Sequence, residues 1–411
     1  MRLLVPNARN SQAYEVIQGL RPLAERIVTV AEGRRPFEQY LAHAAFVREV
    51  DRWVPAGWPV TDWEQGHHPA HNTPAEEAYV AFVEKLCAEE RLDLVFPSTE
   101  GTIYVLAKNK TRLAALGVSV ASADLETVRT VNDKFVSMEL LASNGLPAPR
   151  TLLPGPDSLE AAGRGLGFPL VVKPRFSSAS RGVTLVRNVA ALRETYARVT
   201  ARYGDSLLQE FIPGELDGGF LRVIGVADTA SNVVAVHVTR TLLTLFRGSV
   251  LPPAVARSEA NPEISALTAR TVKTLGITGP FLVQYKIDAR DGKPRILEAN
   301  CKLSYRIWTA KVDGLDIPRL ALAVTRSESV TVVEPDRFGT VFINVPELVL
   351  ARLTSPARAR AVREAVRQGP VVHDPYWRQF GRQPRVALLW WITFLGFAHK
   401  EYLIRRLQRR E

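Results

Sequence analysis

Residues 281–304, with the sequence FLVQYKIDARDGKPRILEANCKLS, constrain the fold of this chain more than any other stretch. Two short apolar runs flank the turn sequence Asp-Gly-Lys-Pro, which predicts a β-hairpin. Gln284 lies on the first run, and alternation places Glu298 and Asn300 on one face of the second. Three converging oxygen-bearing side chains suit a hard cation such as Mg²⁺. Taken alone, the triplet fits a solvated polar hairpin face equally well.

The N-terminal part predicts an α/β unit with parallel strands. A strand at 3–5, a helix from about residue 12 to residue 20 and a strand at 27–30 follow one another. A helix over 75–90 leads to an apolar strand at 92–96 that ends in Pro-Ser-Thr-Glu, and ligands bind at such carboxyl ends. No Gly-x-Gly-x-x-Gly follows the first strand, which disfavours a dinucleotide site.

The middle of the chain predicts a helix pair over 124–144 and a strand at 150–153 beyond the break Gly-Leu-Pro-Ala-Pro. Apolar runs over 207–244 predict an antiparallel sheet, and a helix over 263–275 precedes the hairpin. We place a domain boundary near residue 120.

Length and cysteine content indicate an intracellular globular protein of two or three domains. The chain has 411 residues and two cysteines, Cys87 and Cys301, too few for a disulfide framework. The N-terminus lacks the pattern of a signal peptide, and no apolar run approaches the roughly 20 residues that span a bilayer. We therefore expect a cytoplasmic protein.

Positive charge is concentrated near the C-terminus. The chain carries a net charge of +11, and residues 331–411 contain 14 Arg or Lys against 7 Asp or Glu. Within that part, 386–398 is almost wholly apolar, and basic residues flank it on both sides. Peripheral membrane contact through residues 386–410 is one interpretation, and burial against the body or a partner subunit is the other. Nucleic-acid binding is disfavoured because no known binding motif accompanies the charge.

Lys173 ends an apolar strand that begins at Leu170, and the small-residue loop 177–182 follows it. Backbone N–H groups of such a loop can approach phosphates closely, and the lysine can neutralise phosphate oxygens. A flexible hairpin with one exposed lysine is the alternative. Residues 207–215, LLQEFIPGE, suggest a strand whose backbone meets an adenine edge, or simply an amphipathic strand with a Pro-Gly turn.

Taken in order, these motifs resemble the ATP-grasp superfamily, in particular its carbamoyl-phosphate-synthase-like and carboxylate–amine ligase branches. The resemblance covers residues 125–325. It implies an α/β (α+β) architecture with a Rossmann-like pre-ATP-grasp domain over 1–120 and a two-lobed ATP-grasp domain over 121–330. The small lobe is expected at about 150–210 and the large lobe at about 211–330, followed by a basic, helical C-terminal extension over 331–411.

The resemblance assigns the nucleotide-binding residues by position. Lys134 and Lys173 match the two phosphate-binding basic residues, and the loop matches the one that covers the β- and γ-phosphates. The loop residues that we assign to the nucleotide are Ser177, Ser178, Ser180 and Gly182. The adenine-binding linker matches Gln209, Glu210, Phe211 and Ile212. The usual ribose-binding acid falls at Leu216, so the neighbouring Glu215 and Asp217 are the candidates.

The metal ligands of the carbamoyl-phosphate-synthase-like branch match Gln284, Glu298 and Asn300. The resemblance therefore implies ATP and Mg²⁺ (or Mn²⁺) as cofactors. The family usually has Asn-Pro-Arg where this chain has Asn-Cys-Lys, so Lys302 keeps the charge but loses the bidentate fork of arginine. Arg306 and Arg240 are the candidates for supplying that fork. Cys301 is interpreted as structural or substrate-adjacent rather than as a nucleophile.

The resemblance therefore implies an ATP-dependent ligase that activates a carboxylate as an acyl phosphate and joins it to an amine. Its partners would be a small-molecule carboxylate and amine, with a homodimer left open. An ATP-grasp phosphotransferase and a nucleotide-binding protein without turnover are the alternatives. His67, His68 and His71 are assigned to a solvated loop, because no further ligand completes a zinc set.

Overall fold

A computed structural model gives the fold. It describes residues 1–8, 11–32, 47–56, 71–155, 158–178, 180–215, 218–244, 255–303, 306–345, 348, 364, 366–367, 369–378 and 381–392. Two of the three predicted loop histidines, His67 and His68, lie outside these residues, as do Asp217 and the chain beyond residue 392.

The N-terminal domain is a five-stranded parallel sheet with the strand order β3-β2-β1-β4-β5. Its strands and helices, in chain order, are β1 (Arg2–Val5), α1 (Ser11–Leu20), β2 (Arg26–Glu32), β3 (Arg52–Ala56), α2 (Pro74–Glu90), β4 (Leu94–Val95), α3 (Glu100–Lys108), α4 (Lys110–Ala114) and β5 (Ser119–Val120). The predicted parallel α/β unit is confirmed. The strand order reverses between β1 and β4, so their carboxyl ends border a crevice of the kind that binds ligands.

The small lobe is a four-stranded antiparallel sheet with two packed helices. A helix pair, α5 (Leu125–Asn132) and α6 (Lys134–Ser143), leads into it as predicted. Its further elements are β6 (Thr151–Leu152), α7 (Leu159–Leu166), β7 (Leu170–Pro174), β8 (Thr184–Val186), α8 (Val189–Tyr203) and β9 (Ser206–Glu210). The order β6-β9-β7-β8 places β9 beside β7, so the segment after β9 leaves this lobe for the next.

The large lobe is built on a seven-stranded sheet with the order β14-β13-β10-β11-β12-β15-β16. Its elements before the C-terminal extension are β10 (Phe220–Ala227), β11 (Val233–Leu243), β12 (Val255–Ser258), α9 (Pro262–Thr274), β13 (Gly279–Ile287), β14 (Pro294–Asn300), α10 (Ile307–Val312) and α11 (Ile317–Thr325). The apolar runs over 207–244 were expected to form one antiparallel sheet, but β9 at their start pairs with β6 and β7 of the small lobe. Apolar spacing alone does not tell two sheets apart, because it reports only which face is buried.

The C-terminal extension is not wholly helical, contrary to expectation. Two short strands, β15 (Val341–Ile343) and β16 (Val371–His373), continue the seven-stranded sheet, and α12 (Pro375–Arg378) follows. Three-residue strands carry too little periodicity to be recognised in an Arg-rich segment. No helix among the described residues is long and apolar enough to cross a bilayer.

One hydrophobic core joins the N-terminal domain to the large lobe. Buried residues of β1 and α1 cluster with Ile224 and Val226 of β10, with Leu282 of β13 and with residues of α10 and α11. Glu15 of α1 is buried in this contact, and its carboxylate accepts a hydrogen bond of 2.7 Å from the backbone N–H of Ile307 at the start of α10. The N-terminal domain is thereby held against the end of the large lobe that carries the hairpin.

Candidate functional site

The predicted hairpin is confirmed, and its register brings the three oxygen-bearing side chains together. Strands β13 and β14 pair antiparallel, with Gln284 opposite Glu298 and Leu282 opposite Asn300. Residues paired across strands share a face, so Gln284, Glu298 and Asn300 form one patch at the end of β14. Asn300 is buried, while the other two remain partly accessible.

The donor set fits Mg²⁺ rather than a soft metal. All three groups offer oxygen atoms, and only Glu298 is charged, so the remaining ligands would be phosphate oxygens and water. Among the described residues no group of three or more His, Cys, Asp or Glu side chains is arranged to hold a metal ion. The patch is therefore suited to a metal that arrives with a nucleotide, and the metal role of the three residues remains a prediction.

Lys134 connects the small lobe to this patch. Its ammonium donates a hydrogen bond of 2.5 Å to the backbone carbonyl of Ser177 and lies 3.7 Å from Glu298 Oε1. Its position is fixed by Asp133, which caps α6 by accepting hydrogen bonds from two backbone N–H groups. Asp133 also binds the guanidinium of Arg175 through both carboxylate oxygens. The cap ties the start of α6 to the end of β7, where Lys173 lies.

Lys173 is a buried lysine whose charge is unfavourable without a ligand. Its side chain is almost inaccessible at the end of β7. Its pKa is lowered from 10.5 to about 7, chiefly by burial and also by the nearby charge of Lys134, while the charge of Glu298 acts in the opposite direction. Two lysines and one carboxylate therefore converge, and the excess positive charge suits the phosphates of a nucleotide.

The small-residue loop borders Lys134, which donates to the backbone carbonyl of Ser177. Ser177 is buried, and its hydroxyl donates to the backbone carbonyl of Arg181, whose guanidinium in turn donates to the hydroxyl and carbonyl of Ser178. Ser180 and Gly182 adopt positive φ angles of 56° and 78°. A side chain at Gly182 would also stand 2.6 Å from Pro174 Cγ, so glycine is required there.

The linker between the lobes offers backbone atoms rather than free side chains. Gln209 donates to Thr151 Oγ1 at 2.9 Å, and Glu210 accepts a hydrogen bond of 2.6 Å from Arg290 in the hairpin turn. Lys286 of β13 lies 5.0 Å from the centre of the Phe211 ring and donates to the carbonyl of Ile212 at 2.7 Å. The side chains of Glu210 and Phe211 thus contact the large lobe, and the adenine-binding role of the linker remains a prediction. Glu215 is exposed just beyond the linker.

Lys302 has a partner from the other domain. Its ammonium is hydrogen-bonded to the carboxylate of Glu100, the first residue of α3 in the N-terminal domain. Burial raises the pKa of Glu100, but the charge and hydrogen bond of Lys302, a backbone hydrogen bond and the charge of Lys134 together outweigh it, and the pKa is lowered overall. Cys301 points into the core, and burial raises its thiol pKa to about 12, which agrees with a structural role.

The two predicted arginines lie on opposite faces of the seven-stranded sheet. Arg306 is buried and donates to Thr239 Oγ1 at 2.8 Å. Thr239 lies in register with Gln284, two strands away in the sheet, and therefore on the same face. Arg240 is adjacent to Thr239 along β11, so its side chain points to the other face. Glu259 binds the Arg240 guanidinium at 2.6 and 2.7 Å. The structure therefore brings Arg306, but not Arg240, onto the face that carries Gln284, Glu298 and Asn300, the predicted metal patch.

Two charged residues of this site escaped the sequence analysis. Arg222 of β10 pairs directly with Gln284 and shares its face. Glu100 adjoins the patch through Lys302. Its position at the carboxyl end of a predicted strand was a signal for a ligand site, but sequence alone gave it no partner. Arg222 lies within an apolar strand, where no local pattern marks it.

Comparison with known proteins supports the predicted ATP-grasp domain. Residues 131–278 match the family model described as a RimK-like ATP-grasp domain. The carbamoyl phosphate synthase large chain of Thermotoga maritima is 25% identical over 261 residues, which are 60% of this chain and 23% of that protein. The D-alanine–D-alanine ligase of Aromatoleum aromaticum is 30% identical over 206 residues, 47% of this chain and 64% of that protein. This chain thus spans only about a quarter of the synthase relatives.

Solved structures share the fold at low sequence identity. The biotin carboxylase domain of the Hydrogenobacter thermophilus 2-oxoglutarate carboxylase, in complex with MgADP, ADP and bicarbonate, has a TM-score of 0.65 at 15% identity and covers 83% of this chain and 73% of its own. The L-amino acid ligase of Bacillus licheniformis has a TM-score of 0.57 at 19% identity and covers 79% and 74%. The predicted fold class, a Rossmann-like domain followed by a two-lobed ATP-grasp fold, is confirmed.

Proposed function

We propose that this chain, which carries an ATP-grasp domain at residues 131–278, is an ATP-dependent carboxylate–amine ligase. It would activate a small-molecule carboxylate as an acyl phosphate, join it to an amine, and release ADP and phosphate. The observation that carries the proposal is the convergence of Lys134 and Lys173 from the small lobe with Glu298 from the large lobe. Phosphates and a divalent cation would satisfy all three charges at once.

The residues of the cleft act by positioning and by charge. Lys134 and Lys173 orient the phosphates, and the loop at 177–182 closes over them and limits the access of water. A bound Mg²⁺ would neutralise the transferring phosphoryl group. Lys302 and Arg306 present positive charge on the side of the metal patch where the acyl phosphate forms. No covalent intermediate with the enzyme is required, which agrees with the protonated thiol of Cys301.

The experiment is ADP release from ATP and Mg²⁺ across a matrix of carboxylates and amines, with mass spectrometry of the positive wells. We expect ADP formation that requires both an acid and an amine, and a hydroxamate when hydroxylamine replaces the amine. A stable phosphorylated product that does not react with hydroxylamine would instead indicate a phosphotransferase. ATP binding without ADP in any well would contradict the ligase proposal and favour a protein without turnover.

Peripheral membrane contact through the C-terminal segment is a separate proposal. Residues 384–392 are helical, with Val386 and Ala387 buried and Leu388 and Ile392 exposed at 59% and 50%. Arg382 and Arg385 beside them are also exposed. Exposed apolar residues bordered by arginines match the boundary between acyl chains and anionic headgroups.

We expect the purified protein to sediment with phosphatidylglycerol vesicles, and to do so less at high salt and less with phosphatidylcholine vesicles. Leu388→Glu combined with Ile392→Glu should abolish sedimentation, because both side chains would have to enter the apolar layer. The matched control is Val332→Glu, since Val332 is 69% exposed elsewhere on the molecule. If the parent instead forms a concentration-dependent dimer without binding vesicles, and the double variant stays monomeric, the surface is an interface with a second copy of the chain.

A further inference from the structure

Glu100 stands where the N-terminal domain meets the metal patch. A small gap, which does not admit a water molecule while Lys302 contacts Glu100, is lined by Glu100, Ile103, Asn132, Asn300, Cys301 and Lys302. Asn300 belongs to the metal patch, so the Glu100 carboxylate is next to the place where the acyl phosphate would form. Glu100 is 202 residues from Lys302 in sequence and reaches it only because the two domains pack together.

The position of Glu100 in its own domain is also that of a ligand site. It follows β4, and Asn7 follows β1, the two strands between which the strand order of the parallel sheet reverses. The side-chain amide of Asn7 donates to Thr99 Oγ1 at 3.2 Å, so the two loops border one crevice. Ligands of open α/β sheets bind at this reversal point, outside the carboxyl ends of the strands.

A ligase of the proposed kind needs groups of opposite charge near the reacting acyl carbon. The acyl phosphate carries negative charge and needs cations, which Lys134, Lys173 and Lys302 supply. The amine arrives mainly as an ammonium ion at neutral pH and needs an anion within reach of the acyl carbon. Glu298 belongs to the metal patch. Among the described residues, Lys302 is the only side chain that forms a hydrogen bond or ion pair with the Glu100 carboxylate.

We propose that Glu100 forms the ammonium-binding subsite for the amine substrate and that Lys302 occupies this subsite until the acyl phosphate is made. This inference rests on the proposed ligase function and names the group that receives its second substrate. Formation of the acyl phosphate places new negative charge beside Lys302. The Lys302 ammonium then turns to the phosphoryl oxygens, and the ammonium of the incoming amine takes its place on Glu100. The exchange keeps every charge paired.

The exchange also orders the two half-reactions. The bound ammonium gives one proton to solvent, the nitrogen lone pair forms the C–N bond, and the second proton passes from the nitrogen to the departing phosphate. The bond between the acyl carbon and the phosphate oxygen breaks, and phosphate leaves with the electron pair. While Lys302 holds Glu100, the amine has no anchor, so the subsite opens only after the carboxylate has been activated. The lysine in place of the usual arginine suits this role, because a single flexible ammonium is released more easily than a bidentate guanidinium.

The test compares a charged with an uncharged nucleophile. With the acid and the amine that release ADP in the substrate matrix, Glu100→Gln should raise the KM for the amine at least about 10-fold, as expected for loss of one charge-assisted hydrogen bond. Hydroxylamine is uncharged near pH 8 and needs no ammonium subsite, so hydroxamate formation by the same variant should stay within about 2-fold of the parent. Lys302→Met should instead slow both reactions, because it acts on the acyl phosphate.

The matched control is Glu77→Gln, since Glu77 is a half-exposed, arginine-paired glutamate of the same domain. An unchanged amine KM in Glu100→Gln would overturn the subsite. Equal losses of amine ligation and hydroxamate formation in Glu100→Gln would also overturn it, and would make Glu100 a positioning residue for Lys302. A parent enzyme that forms no hydroxamate would be a failure of the proposed function, and this outcome is distinct from both.

Discussion

Glu298→Ala is expected to lower Mg²⁺-dependent ADP formation by about 10²–10³-fold, the size of effect seen when one preorganised electrostatic group is removed from an active site. Glu298 is the one charged member of the oxygen patch, so its loss leaves only the two neutral amides of Gln284 and Asn300. It also removes the carboxylate 3.7 Å from the Lys134 ammonium, which adds to the positive charge around Lys173. Steady-state ADP release over a range of Mg²⁺ concentrations measures the effect.

The fold should survive this substitution. Glu298 is partly accessible and belongs to no hydrophobic cluster, so the temperature of unfolding should change little. Glu328→Ala, which removes an exposed carboxylate after α11, is the matched control and should keep full activity. Full turnover in the folded Glu298→Ala variant would refute the metal assignment.

Lys173→Met is expected to lower ATP turnover by about 10²–10³-fold and, at the same time, to stabilise the protein. Lys173 is buried beside Lys134, and its pKa of about 7 shows that the folded protein without nucleotide disfavours its charge. Methionine fills a similar volume without this penalty, so we expect a gain on the order of 1–2 kcal/mol in the free energy of unfolding. ADP release and thermal unfolding of the nucleotide-free protein measure the two effects.

The gain in stability should depend on pH with a definite sign. The pKa of Lys173 is about 7 in the folded state and near its ordinary value of 10.5 in the unfolded state. Between these values the unfolded chain holds a proton that the folded protein has released, so the parent becomes more stable as the pH rises. The advantage of Lys173→Met should therefore be greatest at or below pH 7 and fade as the pH approaches 10.

The control for this pair of effects is Lys85→Met, since Lys85 is 75% exposed on α2. It should change neither stability nor activity appreciably. A destabilised Lys173→Met variant would show that the buried ammonium contributes more through contacts than it loses through desolvation. A stabilised variant with normal turnover would remove Lys173 from the phosphate site.

Short-range patterns were sufficient to predict most of the elements and to name most of the candidate site residues. The hairpin around residues 288–294 was predictable because turn chemistry and alternation act over a few residues, and the register observed between Gln284 and Glu298 agrees with it. The helix pair that presents Lys134 was predictable for the same reason, since Asp133 both breaks the first helix and caps the second. The order of these motifs was enough to identify the superfamily.

Other features depended on which segments pack together. Strand β9 joins the small-lobe sheet, and β15 and β16 extend the large one, although nothing in their own sequences specifies a partner. Arg240 seemed as good a candidate as Arg306 until the register placed it on the opposite face. A shift of one residue along a strand reverses the side to which a side chain points, and sequence distance does not reveal that side.

The sequence by itself determined the ATP-grasp architecture and the set of oxygen and lysine side chains from which the site is made, because those depend on local spacing and on motif order. Only the tertiary structure decided their charge balance. It buried Lys173 beside Lys134, and it brought Glu100 of the N-terminal domain to Lys302. Electrostatic energies depend on distance and burial in space, and residues 202 positions apart in the chain acquire both only when the domains pack.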